Sequence, residues 1–413
     1  MKNPPRILCV SHHAPPLNDA EALCTGRLLS VLAGKGAEVH VIAAEGRATL
    51  EGELAGEILD ERVTVERVAA SRTRLGRLGS MVRYGYHGPY VEWMGPAIEA
   101  ARGYLRRHPG TVLMTRACPW VSNFIGWHCR GLAAAWVAHF SDPFPPHEWQ
   151  NHWYSKFARP VNGRWARRIL RGADLVTVTC PNAIRYIEEK SGVGFREKAM
   201  VLTHLAMPQI RAGGFRLERG ADEFVIAHIG TLMMRRRPDL LLGGAMLAME
   251  RHPAIRFLQY GHVDEHTLRV AASSSAFGRL DIRHIDNLSP RDAGDLQQQV
   301  DVNVIVDTDL GLPYSPFILS KYPHAACAGK PMLMISAADS EMARLTALEG
   351  GGEFVPFSTA EAVAEGICRL YEGRGKGKAG VGGNPYHRRF GPEEVVGPLW
   401  RWIDGVAERD GAE

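Results

Sequence analysis

Seven cysteines are present (Cys9, Cys24, Cys118, Cys129, Cys180, Cys327 and Cys368), yet no two stand at CxxC spacing. Several lie in apolar, strand-like runs, which fits reduced, buried thiols and argues against a zinc site or a disulfide framework. No apolar run reaches the roughly 18 residues that a membrane-spanning helix needs. The N-terminal run Ile7 to Val10 stops at Ser11-His12-His13-Ala14-Pro15-Pro16, far short of a signal-peptide core. A net charge of +4 is too small for a sequence-independent nucleic-acid binder, so no nucleic-acid partner is expected. The turn after the first apolar run, SHHAPPLNDAEALCTGR, contains no GxGxxG, so the dinucleotide fingerprint is missing. These absences predict a cytoplasmic chain, soluble or peripheral on the inner face of a membrane.

What is present is a long α/β pattern. The 413 residues, 45% of them hydrophobic, exceed one ordinary core and suggest two domains of roughly 150 to 200 residues. Short apolar runs alternate with longer segments of helical period, the pattern of parallel sheets covered by helices. The first half offers strands at Arg6 to Val10, Val39 to Ala43, Val63 to Val68, Thr111 to Thr115, Ala134 to Phe140, Leu175 to Thr179 and Met200 to Thr203. The first helix starts near Asn18 or Asp19 and ends at Gly34 to Gly36, capped by an Asx residue and a glycine. Ala206 to Asp222 mixes proline, glycine and charge without period and reads as a linker. A second series follows at Phe224 to Ile229, Ile255 to Tyr260, Leu280 to Ile285, Val302 to Val306, Met332 to Ile335 and Glu353 to Pro356. Ser289-Pro290 marks a helix start, Gly373 to Gly383 a tether, and Pro392 to Ala407 an amphipathic end. The predicted division is 1–205 (Rossmann-like), 206–222 (linker), 223–385 (a second Rossmann-like domain) and a C-terminal helix in 386–413.

The richest stretch runs from Tyr314 to Pro331 into the strand Met332 to Ile335. It reads as a loop opening a short helix, with Ser320 and Lys321 at its start, where free N–H groups and a cation would favour an anion. A second basic turn, Gly230 to Pro238 (GTLMMRRRP), follows a strand; glycine there lets a phosphate approach the backbone. Each has a plainer reading as a helix cap or a solvated turn.

The serine–lysine pair, the helix of small residues and Ala328-Gly329-Lys330-Pro331 before a strand together resemble the nucleotide-sugar site of GT-B glycosyltransferases of the family 4 type. That resemblance implies two Rossmann-like domains facing each other across a cleft. It also implies transfer of a sugar, with retention, from a nucleoside diphosphate to a hydroxyl of a glycan, glycolipid or other glycoconjugate. The nucleotide sugar is then the co-substrate, with no further cofactor and no metal, since Arg236 and Lys321 stand in for a cation. By the same resemblance Gly230, Thr231, Arg235, Ser315, Pro316, Phe317, Ser320 and His324 bind the donor. Thr231 stands where many relatives carry arginine, and His324 where the family has a ribose-binding glutamate. Charge on the phosphates could be shared with Arg235 or Arg237, and His284 to Leu288 lies where the family contacts the base.

On the acceptor side, Ala134 to Phe140 runs into Ser141-Asp142-Pro143-Phe144, which resembles an RDPW-like turn of one subgroup with serine for arginine. Asp142 could orient an acceptor hydroxyl or simply cap the turn. His12 and His13 close the first strand and either contact acceptor or phosphate or serve structure. Arg164, Arg167, Arg168 and Arg171 form one helical stripe, extended by Lys156 and Arg159, and Arg72, Arg74, Arg77 and Arg83 form a second patch. These are solvated faces, or contacts to anionic lipid or a lipid-linked acceptor. A nucleotide-sugar epimerase of the same fold and a catalytically degenerate sugar-nucleotide binder remain alternatives.

Overall fold

The computed structural model describes residues 4–46, 52–71, 73–86, 88–147, 158–206, 213–272, 280–283, 288–374 and 384–410. The chain divides into two compact units, one running to Leu205 and resuming at Pro392, the other spanning Ala206–Gly391.

The first unit is built on seven strands: β1 (Arg6–Ser11), β2 (Glu38–Ala44), β3 (Val63–Val68), β4 (Val112–Ala117), β5 (Ala135–Phe140), β6 (Leu175–Val178) and β7 (Ala199–Val201). Their order is β3-β2-β1-β4-β5-β6-β7, and every pairing is parallel. Helices α1 (Ala20–Gly34), α2 (Gly52–Ile58), α3 (Arg74–Tyr84), α4 (Val91–Arg107), α5 (Val121–Cys129), α6 (Ala158–Gly172) and α7 (Pro181–Ser191) connect them. A parallel sheet covered on both faces needs continuous apolar strands, and β4 and β5 are buried at every residue. The strand order reverses between β1 and β4, and the crevice outside the carboxyl ends at such a point is where α/β sheets bind ligands. Register sets Ser11 beside Arg116 and Arg116 beside His139 at that end.

The second unit repeats the plan with β8 (Phe224–Ile229), β9 (Ile255–Tyr260), β10 (Asp281–Arg283), β11 (Val302–Val306), β12 (Met332–Ser336) and β13 (Gly352–Pro356), in the order β10-β9-β8-β11-β12-β13. All its pairings are parallel too. Its helices are α8 (Pro238–Arg251), α9 (Glu265–Ala272), α10 (Pro290–Gln299), α11 (Tyr322–Cys327), α12 (Glu341–Glu349), α13 (Ala360–Glu372) and α14 (Pro385–Arg389). Residues 213–217, read as linker from composition, are tied to α10: Phe215 and Leu217 donate backbone N–H groups to Asp295 and Gln299, each at 2.9 Å.

The last helix, α15 (Pro392–Asp410), belongs to the first unit. Val395, Val396, Leu399, Ile403 and Val406 join the core built by α1, β1, β2 and β4, and Lys35 pairs with Glu393 at 2.6 Å. Burying aliphatic side chains of this size contributes about 1.5–3 kcal/mol each, so α15 is a structural member of that unit.

Local signals act as the sequence predicts at two helix starts. Asp19 caps α1 by accepting from the Ala22 N–H at 2.9 Å, and Ser289 caps α10 with Pro290 in its first turn. All seven cysteines are free thiols, five of them buried. Among the described residues no helix is long and apolar enough to cross a membrane.

Candidate functional site

In the second unit the charged residues gather at the strand-order reversal between β8 and β11. β8 ends in His228-Ile229, and Gly230 follows with a φ of +126°. Left-handed backbone of this kind favours glycine, and space demands it as well. A Cβ at Gly230 would stand 2.6 Å from the Lys321 Nζ. Lys321 therefore reaches back over the glycine, donating to the Ile229 carbonyl at 3.1 Å. Arg236 folds over the other side of the same turn and donates from Nη1 to the Thr231 carbonyl at 2.8 Å. Two cations are thus moored to the carbonyls on either side of Gly230.

Their environment is electropositive and poorly hydrated. Burial, and then the neighbouring Arg236 charge, hold the Lys321 ammonium well below the usual lysine range. Lys321 has no carboxylate partner within ion-pair distance among the described residues. Beneath it lies the fully buried His228, whose titration is pushed down first by burial and then by Lys321 and Arg236. Gln259 donates its amide to the Gly230 carbonyl at 2.8 Å, which turns its oxygen toward His228 Nδ1 at 2.7 Å. Nδ1 must then carry the proton, leaving the Nε2 lone pair facing Lys321 Nζ at 3.5 Å. A protonated Lys321 is the form this network accommodates.

Just beyond the end of β11 lies Asp307, fully buried. Its Oδ2 accepts from Ser315 Oγ at 2.5 Å and Ser336 Oγ at 2.6 Å, and its Oδ1 from the Thr308 N–H at 2.7 Å. Burial raises its pKa and these bonds oppose the rise. The carboxylate ties the loop carrying Lys321 to β12.

The expected helix-end pocket takes a different form. α11 has only six residues, with Lys321 at its N-cap making no side-chain cap bond and Ser320 one residue outside. Lys321 reaches the Gly230 turn through its side chain. Ser315, Pro316 and Phe317 are buried inside the loop, with the Ser315 hydroxyl committed to Asp307. His324 sits half-buried one turn into α11. Arg235 is half-buried, and its carbonyl accepts from the Asp309 N–H at 2.8 Å. Arg237 pairs with Asp239 and Asp309 at 2.8 and 3.2 Å, so its charge is spent locally. His284 lies outside the described residues, as do Arg72 and Lys156.

In the first unit the corresponding end holds a different cluster. Arg116, 3% exposed, donates to Glu21 at 3.2 Å and to Thr25 at 3.0 Å. Ser141 donates its hydroxyl to the same Glu21 oxygen at 2.9 Å. Burial lifts the Glu21 pKa, against the pull of Arg116 and Ser141, and Asp142 lies near enough to add to the rise. Asp142 accepts from Trp120 Nε1 through its backbone carbonyl at 3.4 Å. His13 Nδ1 pairs with Asp19 at 2.9 Å; burial would lower its pKa, but the Asp19 bond and charge raise it overall. His12 packs between Tyr90 and Trp93, and burial, aided by His13, drives its pKa down to about 3. His12 is therefore neutral near neutral pH, while Asp19 favours the protonated form of His13.

The structure therefore brings Gly230, Thr231, Arg236 and Lys321 together in one unit and His13, Ser141 and Asp142 around Glu21 in the other. His228, Asp307, Glu21 and Arg116 are additions to the residues singled out from sequence. Their common signal is a polar or charged residue at or just beyond an apolar strand's carboxyl end, or, for Glu21, in the first turn of the following helix.

Two doubly wound parallel sheets in separate units, each with polar groups at its strand-order reversal, define a protein of the GT-B class. Residues 22–203 match the family described as the glycosyl transferase 4-like domain. No curated protein matches the sequence. Among solved structures, it is similar to sucrose-phosphate synthase from Thermosynechococcus elongatus at 18% identity, covering 99% of this chain and 98% of that one, with a TM-score of 0.63. It is likewise similar to HepE of Anabaena in complex with UDP and glucose, at 14% identity, 97% and 99% coverage and a TM-score of 0.66. A third is WaaG, a glycosyltransferase involved in lipopolysaccharide biosynthesis, at 12% identity, 97% and 98% coverage and a TM-score of 0.58. At these identities the likeness concerns the fold.

Proposed function

We propose that the chain transfers a sugar from a nucleoside diphosphate to a hydroxyl of a glycan, glycolipid or other glycoconjugate, with retention at the anomeric carbon. The observation that carries this reading is the pair of cations, Lys321 and Arg236, moored on either side of Gly230 at the carboxyl end of β8. As the glycosyl bond breaks, negative charge grows on the departing diphosphate. Positioned cations in a poorly hydrated site stabilise it more in the transition state than in the ground state. They would do so without a metal ion. The diphosphate oxygen can itself take the acceptor proton, so no protein base is required, and Asp142 orients the acceptor hydroxyl. HepE in complex with UDP and glucose makes a uridine donor the first to test. The acceptor is lipid-linked or glycan, reached at the cytoplasmic face of a membrane.

The test is a thermal-shift and calorimetric screen against UDP, GDP, TDP and ADP sugars, followed by product analysis with the donor that binds. A cognate donor at 100 times its dissociation constant stabilises by about 2.7 kcal/mol. Absence of any shift across the panel would sink the reading, and an inverted product would remove the retaining part alone.

A further inference from the structure

Of the eight exposed large apolar side chains among the described residues, three sit on α3: Leu75 at 81%, Leu78 at 57% and Val82 at 76% exposure. They recur at i, i+3 and i+7, so they form one ridge along the helix. The opposite side is the one packed inward, where Tyr84 is buried and α3 meets α4. A helix that points its apolar ridge at water leaves that ridge to be covered by something else. On a wheel of about 3.6 residues per turn, Arg74 and Arg83 fall on opposite flanks of the ridge, and the helix carries no acidic residue.

A second helix of the same unit carries a basic stripe. α6 buries Trp165, Ile169 and Leu170 and exposes Arg164, Arg167, Arg168 and Arg171. For these four arginines no ion pair is found among the described residues. The two helices are joined by a relay of rings: Tyr84 lies 5.4 Å from His128, and His128 lies 5.8 Å from Trp165. Arg83 sits 5.5 Å over the Tyr84 ring and Arg168 sits 5.3 Å over Trp165. Apart from burial, Arg102, Arg168, Arg130 and Arg83 all push the His128 pKa down, toward about 4. The positive fields of α3 and α6 therefore overlap.

We propose that α3 is an interfacial anchor that lays its Leu75–Leu78–Val82 ridge into an anionic lipid bilayer, while the α6 arginines hold the phosphate headgroups. An apolar ridge flanked by cations, with no carboxylate on the helix, suits the boundary between acyl chains and anionic headgroups and is poorly matched to a neutral or positive surface. The anchor gives the glycosyltransferase reading a membrane-borne acceptor, and it rests on that reading for its purpose only.

Vesicle co-sedimentation of the full chain tests it without any sugar present, so its outcome is separate from that of the donor screen. Vesicles of phosphatidylcholine alone are compared with vesicles of phosphatidylcholine mixed with phosphatidylglycerol. Binding is expected to the mixed vesicles and to weaken with salt. Arg167→Gln and Arg168→Gln should each weaken it about fivefold, equivalent to about 1 kcal/mol per cation. The double variant Leu75→Glu, Leu78→Glu should weaken it on the order of tenfold or more, with an unchanged circular dichroism spectrum and melting temperature because both side chains are exposed. No binding to the mixed vesicles would overturn the proposal. So would binding indifferent to the α3 substitutions, or a wild-type dimer in sedimentation velocity that the double variant abolishes, since a second copy would then cover the ridge.

Discussion

The two units share one sheet plan but treat charge at the strand-order reversal in opposite ways. In the first unit each cation has its own anion: Arg116 with Glu21, His13 with Asp19. In the second, Lys321 and Arg236 rest on carbonyl oxygens and raise each other's cost of being charged. A self-neutralised cluster suits a ligand whose groups are hydroxyls, whereas a site that sets two cations side by side is poised for an anion.

The hardest blow to this contrast would come from the paired unit. Arg116→Met leaves Glu21 buried without its counter-ion, and breaking such a pair costs about 3–5 kcal/mol. Denaturant unfolding should show that loss, and adding Glu21→Gln should recover most of it. A single variant as stable as the parent would mean the pair is not the organising feature.

Next comes the second unit. Lys321→Met should leave the fold intact, since it removes a desolvated charge, and weaken nucleoside diphosphate binding by about 1.5–3 kcal/mol. Calorimetry with the donor that the screen identifies reads this directly; a weakening of less than twofold would dissociate Lys321 from the phosphate.

The same residue gives a sharper signature in pH. In the proposed reaction the protonated lysine would bind the diphosphate; its pKa is depressed in the free protein and would rise when the anion arrives. Affinity should therefore be full below the depressed pKa and decline as pH rises through it, with proton uptake on binding over that range. Lys321→Met should flatten the profile, and an equally steep profile in the variant would assign the titration elsewhere.

The smallest effect expected is at Asp19, which both caps α1 and holds His13. Asp19→Ala should cost about 1 kcal/mol from the lost cap. His13 is held above its ordinary value of 6.5, so its contribution is complete below that pH and is lost as pH rises through the folded value. Asp19→Ala should erase this component, which nuclear magnetic resonance of the His13 ring can follow.

Much of the fold was legible because strands covered on both faces read as apolar runs broken by a single polar residue, as in Phe224 to Ile229 and Val302 to Val306. Capping chemistry marked α1 and α10 equally well, since Asp19 and Ser289 act within three residues of themselves. The sites were less legible because their bonds are not local. Lys321 was visible as a cation beside a short helix, but the carbonyl it reaches lies 92 residues earlier, and only the adjacency of β8 and β11 brings them together. Asp307 closes an apolar run and looks like a strand terminator until Ser315 and Ser336 converge on it. On α3, Leu75, Leu78 and Val82 have the spacing of an inward face; that they face outward depends on how Tyr84 packs, which periodicity does not reveal.

The return of the chain to the first unit through α15 bears on biosynthesis. A ribosome delivers β1 to β7 first, yet the groove that receives Val395 to Val406 stays open while the whole second unit is being made. The later unit is continuous in sequence and can close on emergence; the earlier one waits with a greasy seam exposed, a stretch of time in which chaperone engagement or premature termination would decide its fate.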